Sequence, residues 1–136
     1  MKTFKRFLIY GIIGLVLEVV YTGLASLLKG DYRMEGFTFL VMIPIYGLAV
    51  FLEPLHNHLR PLPWWIRGLM YLGTIWMIEY SSGVILAGAL GDCPWHYCDK
   101  LNFNAYITFS MAPQWFFAGF LFEVLHDFLD ELPFEI

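Results

Sequence analysis

The sequence predicts an all-α polytopic membrane protein: one membrane domain over residues 1–136, built as a compact bundle of four transmembrane helices. Three observations predict it. Of 136 residues, 59% are hydrophobic, 19% aromatic and only 15% charged, and the mean hydropathy is +0.62, outside the range of ordinary soluble domains. A small soluble domain also leaves much of its surface in water, which fits poorly with so apolar a chain. Finally, the apolar residues gather into four stretches joined by short loops, leaving no length for a soluble domain.

The first stretch, Phe7 to Leu28, is about 22 residues and at ~1.5 Å per residue crosses a ~30 Å hydrocarbon core. Its basic start, Lys2, Lys5 and Arg6, resembles a signal peptide. Glu18, however, falls where a cleavable apolar core must stay uncharged, so a retained helix is expected. The second stretch, Gly36 to Leu52, is expected to bend at Pro44, because proline removes a helical hydrogen bond and crowds the preceding turn. It should stop at Glu53 and Pro54.

The third stretch, Trp64 to Leu90, opens on two tryptophans suited to the membrane interface, with Arg67 near its start and Glu79 well inside. The fourth, Tyr106 to Leu125, contains Pro113 and Glu123, and an acidic tail follows with Asp127, Asp130, Glu131 and Glu135. An outer loop, residues 91–105, joins the last two. Lys2, Lys5, Arg6, Arg60 and Arg67 fall on one side, and Lys29, Arg33 and Lys100 on the other. The positive-inside rule then places both termini in the cytoplasm.

Net charge is -4 and the basic residues are scattered, which excludes a basic stripe for nucleic acid. A carboxylate at bilayer depth costs ~2.5–3.5 kcal/mol on insertion scales, so it should face the bundle interior, find a partner or carry a proton. Glu18 and Glu79 are the deepest, with no basic residue at their level. They are candidates for a substrate or proton pathway, with Tyr46 and Tyr80 as neighbours; a helix-to-helix hydrogen bond to such a tyrosine is the alternative. Arg67 is expected to pair with Glu53 or Glu123 as a structural ion pair. Glycines such as Gly11, Gly14, Gly68 and Gly83 should let helix backbones approach closely.

Two segments echo each other, "PIYGLAVFLEPLH" from Pro44 and "PQWFFAGFLFEVLH" from Pro113, each ending in Glu-x-x-His. The pattern suggests a two-helix unit used twice, although such apolar residues also recur by chance. With Glu18 and Glu79, the pairs Glu53/His56 and Glu123/His126 supply the ligand types of a di-iron bundle. Height argues against it: the deep glutamates and the Glu-x-x-His segments sit ~10–15 Å apart at helical rise, too far for bonds near ~2 Å. Neither a metal nor another cofactor is expected. A nucleophile, base and orienting group do not meet at one height, so an enzyme is not expected either.

The outer loop reads "GDCPWHYCDKLNFN". Cys93 and Cys98 fit either a disulfide or two free thiols, and with His96 they fall short of four zinc ligands. Trp95 and Tyr97 are expected to anchor the loop at the interface, and Asn102 and Asn104 to bond exposed backbone groups, so that the loop folds back as a lid.

The motifs "LEVVY" at Leu17, "PIYG" at Pro44, "IEYSSG" at Ile78, "CPWHY" at Cys93 and "NFNAYI" at Asn102 resemble, in order and spacing, the CmpB-type ABC-transporter permease family, and especially its transmembrane protein 229 branch. The resemblance implies a multi-pass permease of the lipid bilayer. Glu18 and Glu79 sit inside the matched motifs, whereas His96 and Cys98 replace more usual residues of the loop motif. The chain has no Gly-x-x-x-x-Gly-Lys-Ser/Thr, so a separate ATPase subunit must supply any ATP hydrolysis. Transport by a homo-oligomer or complex is the leading expectation; an accessory lipid- or partner-binding subunit is the alternative.

Overall fold

The fold is known as a computed structural model that describes residues 2–133; Glu135 of the acidic tail lies outside the described residues. The helices are α1 (Lys2–Leu28), α2 (Met42–Gly47), α3 (Leu52–Leu59), α4 (Trp64–Leu90) and α5 (Ala112–Glu131). A 3-10 turn, Leu48–Phe51, lies between α2 and α3, and another, Phe109–Met111, precedes α5. Two-residue strands β1 (Asn102–Phe103) and β2 (Ile107–Thr108) pair antiparallel, Asn102 opposite Thr108. The described chain forms two compact units, residues 2–50 and residues 51–133.

In the first unit the chain after α1 runs back along it. Contacts pair Gly23 with the Met34 carbonyl, Gly36 with the Val19 carbonyl, Gly14 with the Tyr46 ring and Gly11 with the Ile43 carbonyl. A Cβ on Gly11 would stand 2.5 Å from that carbonyl oxygen and one on Gly36 2.1 Å from its own, so the glycines set how closely the backbones approach. Tyr10 is fully buried. The opposite face of α1 leaves Leu8, Ile12, Val16, Val20 and Leu24 exposed, an apolar stripe at fourfold spacing.

In the second unit α4 and α5 run antiparallel. A Cβ on Gly119 would stand 2.2 Å from the Cβ of Tyr71, and one on Gly68 2.1 Å from the Phe116 ring. α4 begins after Pro63, in extended conformation, and ends at Gly91, whose φ of 84° is the left-handed cap glycine favours. Leu69, Met77, Val84 and Ile85 on α4, and Phe117, Leu121, Val124 and Phe128 on α5, are exposed. Both 27-residue helices, α1 and α4, are long and apolar enough to cross a membrane.

The third predicted stretch coincides with α4, but the second and fourth are displaced. The second was expected over residues 36–52 with a bend at Pro44; instead helix begins at Met42. Residues before it are held open by Thr22, whose hydroxyl accepts from the Phe37 N–H at 2.9 Å, and by a positive φ of 53° at Met34. Pro44 occupies the first turn of α2, where an amide has no helical acceptor, so it marks a start rather than a bend. Likewise Pro54 does not stop the chain: it lies in the first turn of α3, which continues to Leu59, with the irregular 3-10 turn just before it.

The fourth was expected over residues 106–125; α5 instead runs Ala112–Glu131. Asn104 and Ala105 take φ of 51° and 60° and turn the chain into the hairpin, extending the outer loop beyond residue 105. Pro113 again falls in a first turn. At the far end the buried Leu129 keeps the helix on its partner past the last run of apolar residues.

Candidate functional site

On α4, Arg67 and Tyr71 are one turn apart on one face, and Glu79 lies two turns beyond. Each holds a polar contact. At the first level, Arg67 Nη1 donates to Glu123 Oε1 of α5 at 2.9 Å, and the hydroxyl of Tyr71 donates to Glu123 Oε2 at 2.5 Å. Both carboxylate oxygens are therefore engaged, in a place where Tyr71 is fully buried and Glu123 nearly so. The Arg67 guanidinium also lies 5.3 Å over the Phe120 ring. Of the two carboxylates expected for Arg67, Glu123 is the one it pairs with here.

Glu53 lies instead 3.5 Å from His126 Nδ1, while Asp130 lies 3.6 Å from the other nitrogen of that ring. The His56 and His126 rings are 6.0 Å apart, and His56 stands edge-on to Tyr71 at 4.9 Å. His56 is 0% exposed, and neither ring nitrogen has a hydrogen-bond partner among the described residues. Burial first, then the neighbouring His126, pushes its imidazole down to about 4. At the rim, Arg60 donates to both carboxylate oxygens of Asp127; that hydrogen-bonded pair holds the Asp127 carboxyl below its usual range.

The two Glu-x-x-His segments thus meet where α3 packs on α5. Among the described residues, no group of three or more His, Cys, Asp or Glu side chains is placed to hold a metal, and the cation of Arg67 occupies Glu123.

At the second level, Glu79 is 9% exposed and accepts from the Tyr97 hydroxyl at 2.6 Å. Tyr97 belongs to the outer loop, which folds back on α4. Its N–H donates to the Ala105 carbonyl, and Trp95 Nε1 donates to the Tyr106 carbonyl at 3.0 Å. Tyr80 packs against the rings of Phe103 and Tyr106. Asn102 bonds backbone, accepting from the Ala105 N–H at 3.0 Å. Asn104 was expected to do the same, but its amide donates to the Tyr80 hydroxyl of α4 at 3.0 Å, a side chain within reach of the turn it makes at φ 51°.

Asp99 organises the rest of the loop, accepting from the Thr108 and Ser110 hydroxyls at 2.6 and 2.7 Å, which hold its carboxyl below the usual range. Cys93 and Cys98 are free thiols; Cys93 is buried, which pushes its thiol up.

In the first unit, Glu18 accepts from the Thr38 hydroxyl at 2.5 Å, and the Tyr46 ring packs on Gly14. Thr38, Tyr71 and Asp130 were not among the sequence candidates, and His56 and His126 were weighed there only as metal ligands. One signal could have found Tyr71: α1 and α4 share the pattern Arg-x3-Tyr-x7-Glu, as Arg6, Tyr10, Glu18 and as Arg67, Tyr71, Glu79. With Glu-x-x-His recurring downstream, this extends the internal echo to chemically specific positions.

No solved structure matches the chain. A family model, ABC_trans_CmpB, described as putative ABC-transporter type IV, matches residues 6–135. With nearly the whole chain covered by that model, and its polar residues on a helix fit to cross a membrane, the protein belongs to this ABC-transporter type IV family.

Proposed function

We propose that the chain is a non-catalytic, four-span membrane protein of the transport class, with both termini cytoplasmic, working as a homo-oligomer or with a separate ATPase subunit. Its polar interior is the set of side chains that α4 carries inward, with Glu79 at its centre. The observation that carries this reading is a nearly buried glutamate in the middle of a helix long and apolar enough to cross a membrane. Such a group is costly unless it is used. Membership of the ABC-transporter type IV family supports the same class. Glu18, at the equivalent position of α1, is assigned the same role.

A flux assay tests it. Proteoliposomes should pass protons, cations or small solutes, and Glu79→Gln and Glu18→Gln should each reduce the flux. Wild-type protein without flux, or variants indistinguishable from it, would sink the reading.

One observation favours a second reading, a structural or accessory subunit. Each deep glutamate is held by a hydroxyl from the loop that follows its helix, Thr38 for Glu18 and Tyr97 for Glu79. If these are only locks, glutamate variants will lose thermal stability without any change in flux, and a co-purifying partner will account for function.

A further inference from the structure

The strongest feature left over is the segment that joins α1 to α2 in the first unit. α1 is 27 residues long, ~40 Å at ~1.5 Å per residue, so when it crosses a ~30 Å hydrocarbon core each end stands out by ~5 Å. The joining segment does not stay at that end. Met34 packs against Gly23, Gly36 against the Val19 carbonyl, and Thr38 bonds Glu18. Val19 lies nine residues before Leu28, which puts Gly36 ~14 Å below the helix end and ~9 Å inside the core.

At that depth the segment is neither helical nor covered. Residues 34–39 have no regular structure, and Glu35, Gly36, Phe37, Phe39 and Leu40 are exposed. The Phe37 N–H is bonded to Thr22, but among the described residues those of Glu35, Gly36, Thr38, Phe39 and Leu40 have no acceptor. In hydrocarbon an unpaired amide costs ~2–7 kcal/mol, whereas leaving a Phe or Leu side chain in water costs ~1.5–3 kcal/mol. The amides outweigh the side chains. Charge gives the same answer independently. The Arg33–Glu35 ion pair is 83% and 68% exposed, and Glu35 falls between the levels of Gly23 and Val19. Charges are costly in lipid and depleted from the cores of protein interfaces, so water is the surrounding that suits both.

We propose that residues 33–40 line a water-filled vestibule, sunk into the membrane from the end of α1 opposite the N-terminus, which brings water and small polar solutes to Glu18. Thr22, Thr38 and Glu18 are all half-buried and form its polar floor. The second span is then an extended half followed by a helical one that begins at Met42, an arrangement in which irregular backbone serves a cavity. The inference rests on the transport reading for its use and supplies the route by which a solute reaches that glutamate.

The test is thiol labelling of full-length protein in phosphatidylcholine nanodiscs with a charged, membrane-impermeant methanethiosulfonate. Labelling is mapped by peptide mass spectrometry, with the exposed Cys98 as the aqueous reference in the same molecule. A thiol reacts as its thiolate, which forms in water and not in hydrocarbon. Phe37→Cys and Leu40→Cys should react within roughly tenfold of Cys98, and Val20→Cys and Val16→Cys, at comparable depth on the apolar stripe of α1, roughly a hundredfold slower or more. All four positions are exposed, so the substitutions spare the packing. Phe37 and Leu40 variants as slow as the valine variants, as lipid or a second copy over the segment would make them, overturn the proposal. Fast labelling at positions 16 and 20 also overturns it, by placing that level outside the hydrocarbon. Flux in proteoliposomes is scored separately. Fast labelling without flux leaves the vestibule standing and defeats the transport reading, whereas flux with a protected segment does the reverse.

Discussion

Glu18 and Glu79 occupy the same place in two helices of equal length, yet they are held by different means. Glu18 is bonded by Thr38, a short side chain on a backbone segment that runs close along α1. Glu79 is bonded by Tyr97, a long side chain reaching in from a loop stitched together by Asp99, Trp95 and a two-residue hairpin. Thr38 and Glu18 are only half-buried, whereas Glu79 is buried. The comparison teaches that a deep carboxylate can be satisfied either by bringing backbone close, which needs glycine, or by sending in a phenol, which needs an organised loop. The cost of losing the partner should follow burial.

The largest effect is expected one level further along α4. Arg67→Ala leaves Glu123 facing Tyr71 alone in a nearly dry site and should destabilise the protein by ~3 kcal/mol, read by thermal unfolding in detergent. Arg6→Ala, at the matching position of α1 and itself 2% exposed, should cost a similar amount. An Arg6 variant as stable as wild type would break the parallel between the two helices.

Next come the close approaches. Gly119→Val and Gly14→Val each force a side chain against a tyrosine, Tyr71 or Tyr46, where a Cβ has 2.2 or 2.5 Å. Each should cost ~1–3 kcal/mol, with Gly119 the worse because Tyr71 is fully buried. Equal stability of both variants and wild type would show that the helices are packed otherwise.

The locks themselves come third. Tyr97→Phe should cost ~1–2 kcal/mol by removing a hydrogen bond to a buried carboxylate, and Thr38→Val less, since water can replace the hydroxyl. The reverse order would mean that the buried and half-buried glutamates have been assigned the wrong way round.

The smallest effect concerns pH. Asp99 has its carboxyl lowered by Thr108 and Ser110, so its stabilisation of the loop is complete above the ordinary aspartate range and fades as pH falls through the lower, folded value. Trp95 fluorescence should therefore change only on acidification. In Asp99→Asn that acid transition should disappear; its persistence would show that another group controls the loop.

How much of this was legible beforehand depended on what kind of signal each residue gave. α4 was legible because one apolar run opening on two tryptophans gave both of its ends. Pro44 and Pro54 were misleading: proline inside an apolar run reads as a bend or a stop, yet in a first turn it costs little, and both sit there. The positive φ angles at Met34 and Ala105 belong to residues that seldom adopt them, so the turns they make had no signature. The meeting of His56 and His126 was half visible. Their shared Glu-x-x-His pattern was plain, but only packing of α3 on α5 shows that two histidines on different helices become neighbours. Thr38 gave no signal at all, being one hydroxyl in an irregular segment.

The central claim, that Glu79 serves passage rather than packing alone, is tested most directly by measuring proton flux into proteoliposomes for wild type, Tyr97→Phe and Glu79→Gln side by side. The account predicts that Tyr97→Phe, which releases the carboxylate but keeps it, retains flux at or above the wild-type rate, while Glu79→Gln abolishes it. Flux that survives in Glu79→Gln, or falls equally in both in step with their stability, would contradict it.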